Sequence, residues 1–208
     1  LTKGYRYTSN SGLHNFLVSI GAVKRSKKAK SSKAPSQNQT PATNVTNPTP
    51  TDSKSLVVYF SMSGQTQRAA EEIQRLTNSN IFRIQAADPY PTTYDSYAQR
   101  GDNERRNNIH PAIRGTILNW DQYSTIYVGF PTWWQQPPMI IHTLFDQYNF
   151  SGKTIVPFTT SMSTPMSASM PYIRQMAAPY NATVLNGYRY TGDNAGLRTW
   201  LQGLNLIK

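Results

Sequence analysis

From residue 55 to the C-terminus the sequence predicts an α/β domain: a doubly wound, five-stranded parallel sheet of order 2-1-3-4-5, covered by helices on both faces. Two observations carry this. Short apolar runs of strand length alternate with segments of helical composition, which is the pattern of a parallel sheet between helical layers. Five such runs fall within about 150 residues, the size of a doubly wound sheet. Ligands of such sheets bind beyond the carboxyl ends of the strands, at the switch point between strands 1 and 3. The loops that follow the strands are therefore where chemistry is expected.

The elements follow in order. Leu56-Val57-Val58-Tyr59-Phe60 is a continuous apolar run of strand length. Gln67 to Leu76 has helical composition, with Ala70, Ile73 and Leu76 at helix spacing. Ile81 to Ile84 reads as the second strand, followed by a helix from Tyr94 to about Arg106. Thr125 to Phe130 is the third strand, and Met139 to Tyr148 a helix whose start Pro137 and Pro138 shape. Thr154 to Phe158 is the fourth strand, and Pro165 to Ala177 the next helix. Thr183 to Leu185 and the GYRYT segment form a fifth, interrupted strand, and Gly196 to Leu204 closes the domain as a helix.

The first 54 residues differ in kind. Residues 26–54 contain no aromatic residue, one β-branched aliphatic (Val45) and four prolines. Such a segment buries too little apolar surface to offset its ordering entropy and is expected to be a disordered linker. Residues 1–25 repeat the end of the chain. Gly4-Tyr5-Arg6-Tyr7-Thr8 matches Gly187-Tyr188-Arg189-Tyr190-Thr191, and Leu13, Leu17, Ile20 and Lys24 then match Leu197, Leu201, Leu204 and Lys208. This reads as the last strand and helix of a preceding copy of the domain. The chain begins with Leu1 without a signal-peptide pattern, so its start reads as truncated.

The net charge of +11 is uneven. Residues 1–54 hold nine Lys or Arg and one acid, Asp52, leaving +8; residues 55–208 hold twelve and nine, leaving +3. The run Lys24-Arg25-Ser26-Lys27-Lys28-Ala29-Lys30, with Lys33 after it, lacks interleaved aromatic residues that would stack on bases. A solvated linker is expected there, with attraction of residues 24–33 to an anionic cell surface ahead of nucleic acid. The absence of cysteine excludes disulfides, thiolate catalysis and Cys-ligated metal sites. No apolar run is long enough to span a membrane. Location stays open between cytoplasm and cell surface, with the Thr/Pro/Asn-rich linker favouring the surface.

Three loops at strand ends carry the chemistry. After strand 1, Ser61-Met62-Ser63-Gly64-Gln65-Thr66 leads straight into a helix. Backbone N–H groups, the helix dipole and the hydroxyls suit a phosphate, although Ser, Gly and Thr are also ordinary helix-start residues. The loop has neither the Gly-Lys-Ser/Thr ending of an NTPase loop nor G-x-G-x-x-G, which disfavours triphosphate hydrolysis and dinucleotide binding. After strand 3 comes Pro131-Thr132-Trp133-Trp134-Gln135-Gln136. One of the tryptophans can cover a flat aromatic ligand, with stacking worth roughly 1–3 kcal/mol; both can equally pack against helices. After strand 4, Thr159-Thr160-Ser161-Met162-Ser163-Thr164 supplies a polar edge. His14, His110 and His142 are scattered without metal-ligand spacing, and Glu71 and Glu72 are expected to face solvent.

Residues 56–192 resemble the flavodoxin family, in particular its short bacterial members. The matching stretches are Val57 to Thr66 (VVYFSxSGxT), Gly129 to Pro138 (GxPxWWxxPP) and Phe150 to Phe158 (FSGKTIVPF). The resemblance implies FMN as cofactor, with the loop of Ser61, Met62, Ser63, Gly64, Gln65 and Thr66 at its phosphate. It further implies that Pro131, Thr132, Trp133 and Trp134 lie along one flavin face, with Thr159, Thr160, Ser161 and Met162 near the edge. Two departures stand out: Gln135 occupies a place that is often Gly, and the fourth-strand loop is poor in glycine. Two functions follow as expectations. One is electron transfer or small-molecule reduction through non-covalent FMN, with a redox protein or a small acceptor as partner and no side chain needed as nucleophile or base. The resemblance does not separate a carrier from an NAD(P)H-dependent quinone or azo-dye reductase. The other is a surface-associated binding module that has kept the fold and lost the flavin.

Overall fold

The structure, a computed structural model, describes residues 54–208. The duplication remnant expected over residues 1–25 and all but the last residue of the expected linker lie outside the described residues. Strand β1 (Ser55–Tyr59) leads to helix α1 (Gln65–Thr77), strand β2 (Asn80–Arg83) to helix α2 (Tyr94–Arg106), and β3 (Thr125–Pro131) to α3 (Met139–Gln147). Strand β4 (Thr154–Thr160) precedes α4 (Met166–Ala177), and the short strands β5 (Thr183–Val184) and β6 (Tyr188–Tyr190) precede α5 (Asn194–Gly203). The strand order is β2-β1-β3-β4-β5, with every pairing parallel. That is the order the sequence predicts.

The continuous apolar runs arise because each central strand is covered on both faces. Successive side chains point to opposite faces, so Val57, Tyr59, Tyr127, Val156 and Phe158 pack with Ala69, Ala70 and Ile73 of α1 and Leu197 and Leu201 of α5. Leu56, Val58, Phe60, Ile126, Val128, Phe130 and Ile155 pack on the other face with Ile140, Ile141 and Leu144 of α3 and Ile173 of α4. Helix α2 buries only Gly101 and Glu104.

The end of β4 differs from the sequence reading for a physical reason. Strand β4 continues past Phe158 through Thr159 and Thr160, because their hydroxyls are satisfied internally. Thr159 Oγ1 lies 2.7 Å from the Phe130 carbonyl, and Thr160 Oγ1 lies 2.7 Å from Thr66 Oγ1. The fifth strand is interrupted, as the sequence predicts: β5 pairs with the start of β4 (Ile155↔Val184) and β6 with its end (Phe158↔Tyr188). Between them the Asn186 carbonyl accepts the Trp200 indole N–H at 3.0 Å instead of a ladder bond.

Lys153, in the Phe150 to Phe158 stretch, serves the fold. Its ammonium donates to the carbonyls of Trp120 (3.1 Å) and Tyr123 (2.5 Å) just before β4, at the end of the sheet opposite the ligand loops. Burial lowers its pKa. Among the described residues no helix is long and apolar enough to cross a membrane, and no group of three or more His, Asp or Glu could hold a metal ion.

Candidate functional site

The loop after β1 turns on Gly64, whose φ of +85° is left-handed and suits a residue without Cβ. Helix α1 therefore starts at Gln65, directly beneath the loop. Its N-terminus has no side-chain cap and no acidic residue in the first turn, so the first N–H groups and the positive end of the helix dipole are open to an anion. Ser63 and Gln65 line the cavity above it. The other hydroxyls are turned to the protein: Ser61 Oγ accepts the Gly64 N–H at 3.1 Å, and Thr66 ties α1 to the end of β4 through Thr160. Met62 packs against the core, and with Ser61 it faces a separate recess of about 140 Å3.

The loop after β3 is a tight turn. Trp133 and Gln136 exchange backbone hydrogen bonds, each 3.0 Å, and the two residues between them are both left-handed, Trp134 at φ +46° and Gln135 at φ +65°. A two-residue turn with both central φ angles positive is the type I′ geometry that favours Asn-Gly. Side chains there cost on the order of 1–2 kcal/mol each. Gln135 thus stands at a left-handed position that glycine would occupy without strain.

The two tryptophans have different settings. The Trp133 ring is half-buried, stacked on Tyr97 (centroids 5.8 Å, 17° between planes) and met edge-on by Phe60 and Tyr90. Gly101 of α2 makes room for it, since a Cβ there would lie 2.9 Å from the ring. Trp134 is 44% exposed, with the Arg105 guanidinium 5.7 Å from its ring centre. Behind Trp133, the buried Glu104 accepts the Tyr90 hydroxyl at 2.6 Å and Arg100 Nε at 2.8 Å. Arg100 also lies 4.2 Å over the Tyr90 ring. Burial first, and the bond to Glu104 second, hold the Tyr90 phenol strongly towards its neutral form.

At the end of β4, Thr160, Ser161 and Met162 reach the cavity, and Met162 is fully exposed. Thr159 is buried, and its hydroxyl bonds that of Thr132 at 2.7 Å, joining the third loop to the fourth. Pro131, Thr132, Trp133 and Trp134 form the wall between. Together these loops bound one cavity of about 610 Å3.

Two further walls escaped the sequence reading. Tyr94, 72% exposed, and Tyr97 close the cavity from the first turn of α2 and pair edge-to-face at 5.3 Å. Their spacing of three residues at a helix start was the available signal. Tyr190, Thr191 and Gly192 close it from the chain's last loop; the GYRYT segment is conspicuous in sequence as a repeat and not as a wall. His110 and His142, distant in sequence, meet at 5.2 Å between ring centres, with His110 Nδ1 2.5 Å from Asp146 Oδ2. None of the three lines the cavity. Burial, then the neighbouring His110, lowers the His142 pKa to about 4.

No charged side chain lines the cavity. It offers backbone and hydroxyl donors at one end and aromatic faces along its length, a donor set suited to a phosphate-bearing, flat, uncharged ring system.

Known proteins share this fold. Residues 54–202 match the family model for flavodoxin. A Bacteroides uniformis protein assigned as a flavoprotein is 30% identical, with a TM-score of 0.65, the match covering 71% of this chain and 97% of that one. A Bacteroides eggerthii protein assigned likewise is 29% identical, with a TM-score of 0.66 and coverages of 74% and 98%. A Lactobacillus acidophilus flavoprotein in complex with FMN shares the fold at 23% identity, with a TM-score of 0.60 and coverages of 70% and 97%. No curated protein sequence matches the chain. A five-stranded sheet in the order 2-1-3-4-5, an open helix N-terminus at the end of β1 and a family match across nearly the whole described domain have one reading: the chain belongs to the flavodoxin family.

Proposed function

We propose that the domain binds FMN non-covalently and passes electrons through it to a small molecule or a redox protein. The observation that carries this is the uncapped N-terminus of α1 opening onto the same cavity that Trp133, Trp134, Tyr94 and Tyr97 wall. The first-turn N–H groups, with Ser63 and Gln65, would hold the phosphate. The aromatic wall would hold the ring, and Thr160 to Met162 would meet its edge. The Lactobacillus acidophilus flavoprotein solved with FMN, which shares the fold, supports the same ligand. When bound, FMN supplies the electron chemistry. The chain's own residues bind and orient it and exclude water from one face, and no side chain needs to act as nucleophile or base.

Charge bears on the partner. Residues 55–208 carry about +3, and the cavity is lined without carboxylates, so this rim does not offer the acidic face on which a basic redox protein would dock. A neutral or anionic small acceptor fits it better. The test is an absorbance spectrum of the full chain after incubation with excess FMN and desalting. A retained flavin band with quenched fluorescence is expected. A colourless protein would sink the redox reading and leave the fold as a binding scaffold, the reading that the left-handed Gln135 and the glycine-poor fourth loop favour.

A further inference from the structure

The smaller recess beside the first loop shares no lining residue with the main cavity. Its basic side is built by register. Past the end of β2 the chain stays extended: the Ile84 N–H still donates to the Tyr59 carbonyl at 2.7 Å, and Ala86 forms an antiparallel bridge with Ile113. Residues two apart on an extended segment share a face, as do residues opposite one another across such a bridge. Arg83 and Gln85 therefore stand on one side. Arg114, whose N–H donates to the Gln85 carbonyl at 2.7 Å, joins them there. The alternate residues Ile84, Ala86 and Ile113 are buried. Arg83, Gln85 and Arg114 all line the recess, and the buried rings of Phe60 and Tyr90 give it an apolar side.

Neither guanidinium is neutralised. Arg83 and Arg114 form no ion pair with any carboxylate among the described residues. Asp88, the acid nearest in sequence, is held by Arg100 at 3.0 Å, and Glu71 accepts from Gln67 Nε2 at 2.7 Å. Neither carboxylate lines the recess. Arg83 donates to the Ser61 carbonyl (3.2 Å) and to Gln67 Oε1 (3.4 Å), and Arg114 to the Ala87 carbonyl (3.4 Å). A guanidinium carries five N–H donors, so both side chains keep donors to spare. Two permanently charged forks on one carboxylate-free pocket are a donor set for an oxyanion. The volume, about 140 Å3, is the space of about five waters at roughly 30 Å3 each. It has room for one phosphate or carboxylate group.

We propose that this recess is a second anion site, which takes a phosphate or carboxylate group through Arg83 and Arg114 with the Gln85 amide beside them. It goes beyond the flavin reading and does not depend on it. Ser61 and Met62 face the recess, whereas Ser63 and Gln65 face the main cavity, so the first loop separates the two sites. The anionic group arrives as a free ion or carried on an apolar body that the Phe60 and Tyr90 rings meet.

The experiment is a calorimetric titration of the full chain, with and without excess FMN, using inorganic phosphate and, separately, phenyl phosphate. Wild type is expected to bind both. Tighter binding of phenyl phosphate identifies a carried group as the ligand, and equal binding a free ion. R83Q and R114Q are each expected to weaken phosphate about tenfold, the loss of one hydrogen-bonded charged contact, and the double variant to abolish binding. R68Q removes an exposed charge of α1 that lines neither pocket and is expected to keep the wild-type affinity. Wild-type affinity in both R83Q and R114Q overturns the proposal, because the ion then sits only at the N-terminus of α1. An equal loss in R68Q overturns it too, since net charge alone would account for the binding, as does a wild type that binds neither probe. If R83Q loosens the first loop, R114Q, whose side chain touches only the Ala87 carbonyl, decides the matter. A wild type that fails to retain FMN counts against the flavin reading alone and leaves these outcomes unchanged.

Discussion

The loops after β1 and β3 bound one cavity by opposite means. The first is built from backbone donors and small side chains, and its one left-handed residue is glycine, Gly64. The other is built from large aromatic side chains and forces left-handed backbone on Trp134 and Gln135. An anion site made of N–H groups needs only local geometry. An aromatic wall depends on distant packing, here Phe60, Tyr90, Tyr97 and Gly101 around Trp133. Strained backbone persists where the surroundings over-determine it, and the ring cluster is what does so here.

That contrast can be broken experimentally. The largest effect is expected from W133A, which empties the centre of the ring cluster: about 3 kcal/mol of stability lost and FMN affinity down at least tenfold, by urea unfolding and flavin fluorescence. An equal loss from altering the first loop would contradict the contrast. Next comes a control touching neither loop. His142 has a folded pKa of about 4 against an ordinary 6.5, so the unfolded chain binds a proton that the folded chain refuses. Stability should be full above about pH 6.5 and fall as pH drops towards 4, by about 2 kcal/mol after allowance for solvent screening. H142L should flatten that slope in urea midpoints measured across the range. G64A puts a Cβ at φ +85° in open space; a loss of about 1 kcal/mol is expected, with weaker FMN binding, read by the same titrations. The smallest effect sharpens the comparison. Q135G should relieve the left-handed strain and raise stability by about 0.5 kcal/mol, the gain being reduced by the entropy that glycine adds to the unfolded chain. A destabilised Q135G would show that the Gln135 side chain contributes more than its backbone costs.

Most of the fold was legible because β1, β3 and β4 are buried on both faces, which leaves uninterrupted apolar runs in the sequence. The first loop was legible for a related reason: the turn at Gly64 and the helix start at Gln65 are made by adjacent residues. What escaped was assembled from afar. Tyr94 and Tyr97 reach the cavity only because Gly101, four residues on from Tyr97, lets α2 settle on Trp133. His110 meets Asp146 across 36 positions, which no local spacing reveals. Ser61 and Thr66 carry the right chemistry for a phosphate, yet their hydroxyls are committed to Gly64 and Thr160, a choice set by backbone geometry rather than residue type.

The division of the last strand into β5 and β6 bears on how the protein behaves in company. A long, regular outer strand exposes a row of unpaired amides on which another chain can grow a sheet. Here that border is two segments of two and three residues, separated by a stretch that gives its Asn186 carbonyl to the Trp200 indole. Neither segment is long enough to template a neighbour. The break thus denies that border of the sheet the long regular strand on which self-association would build.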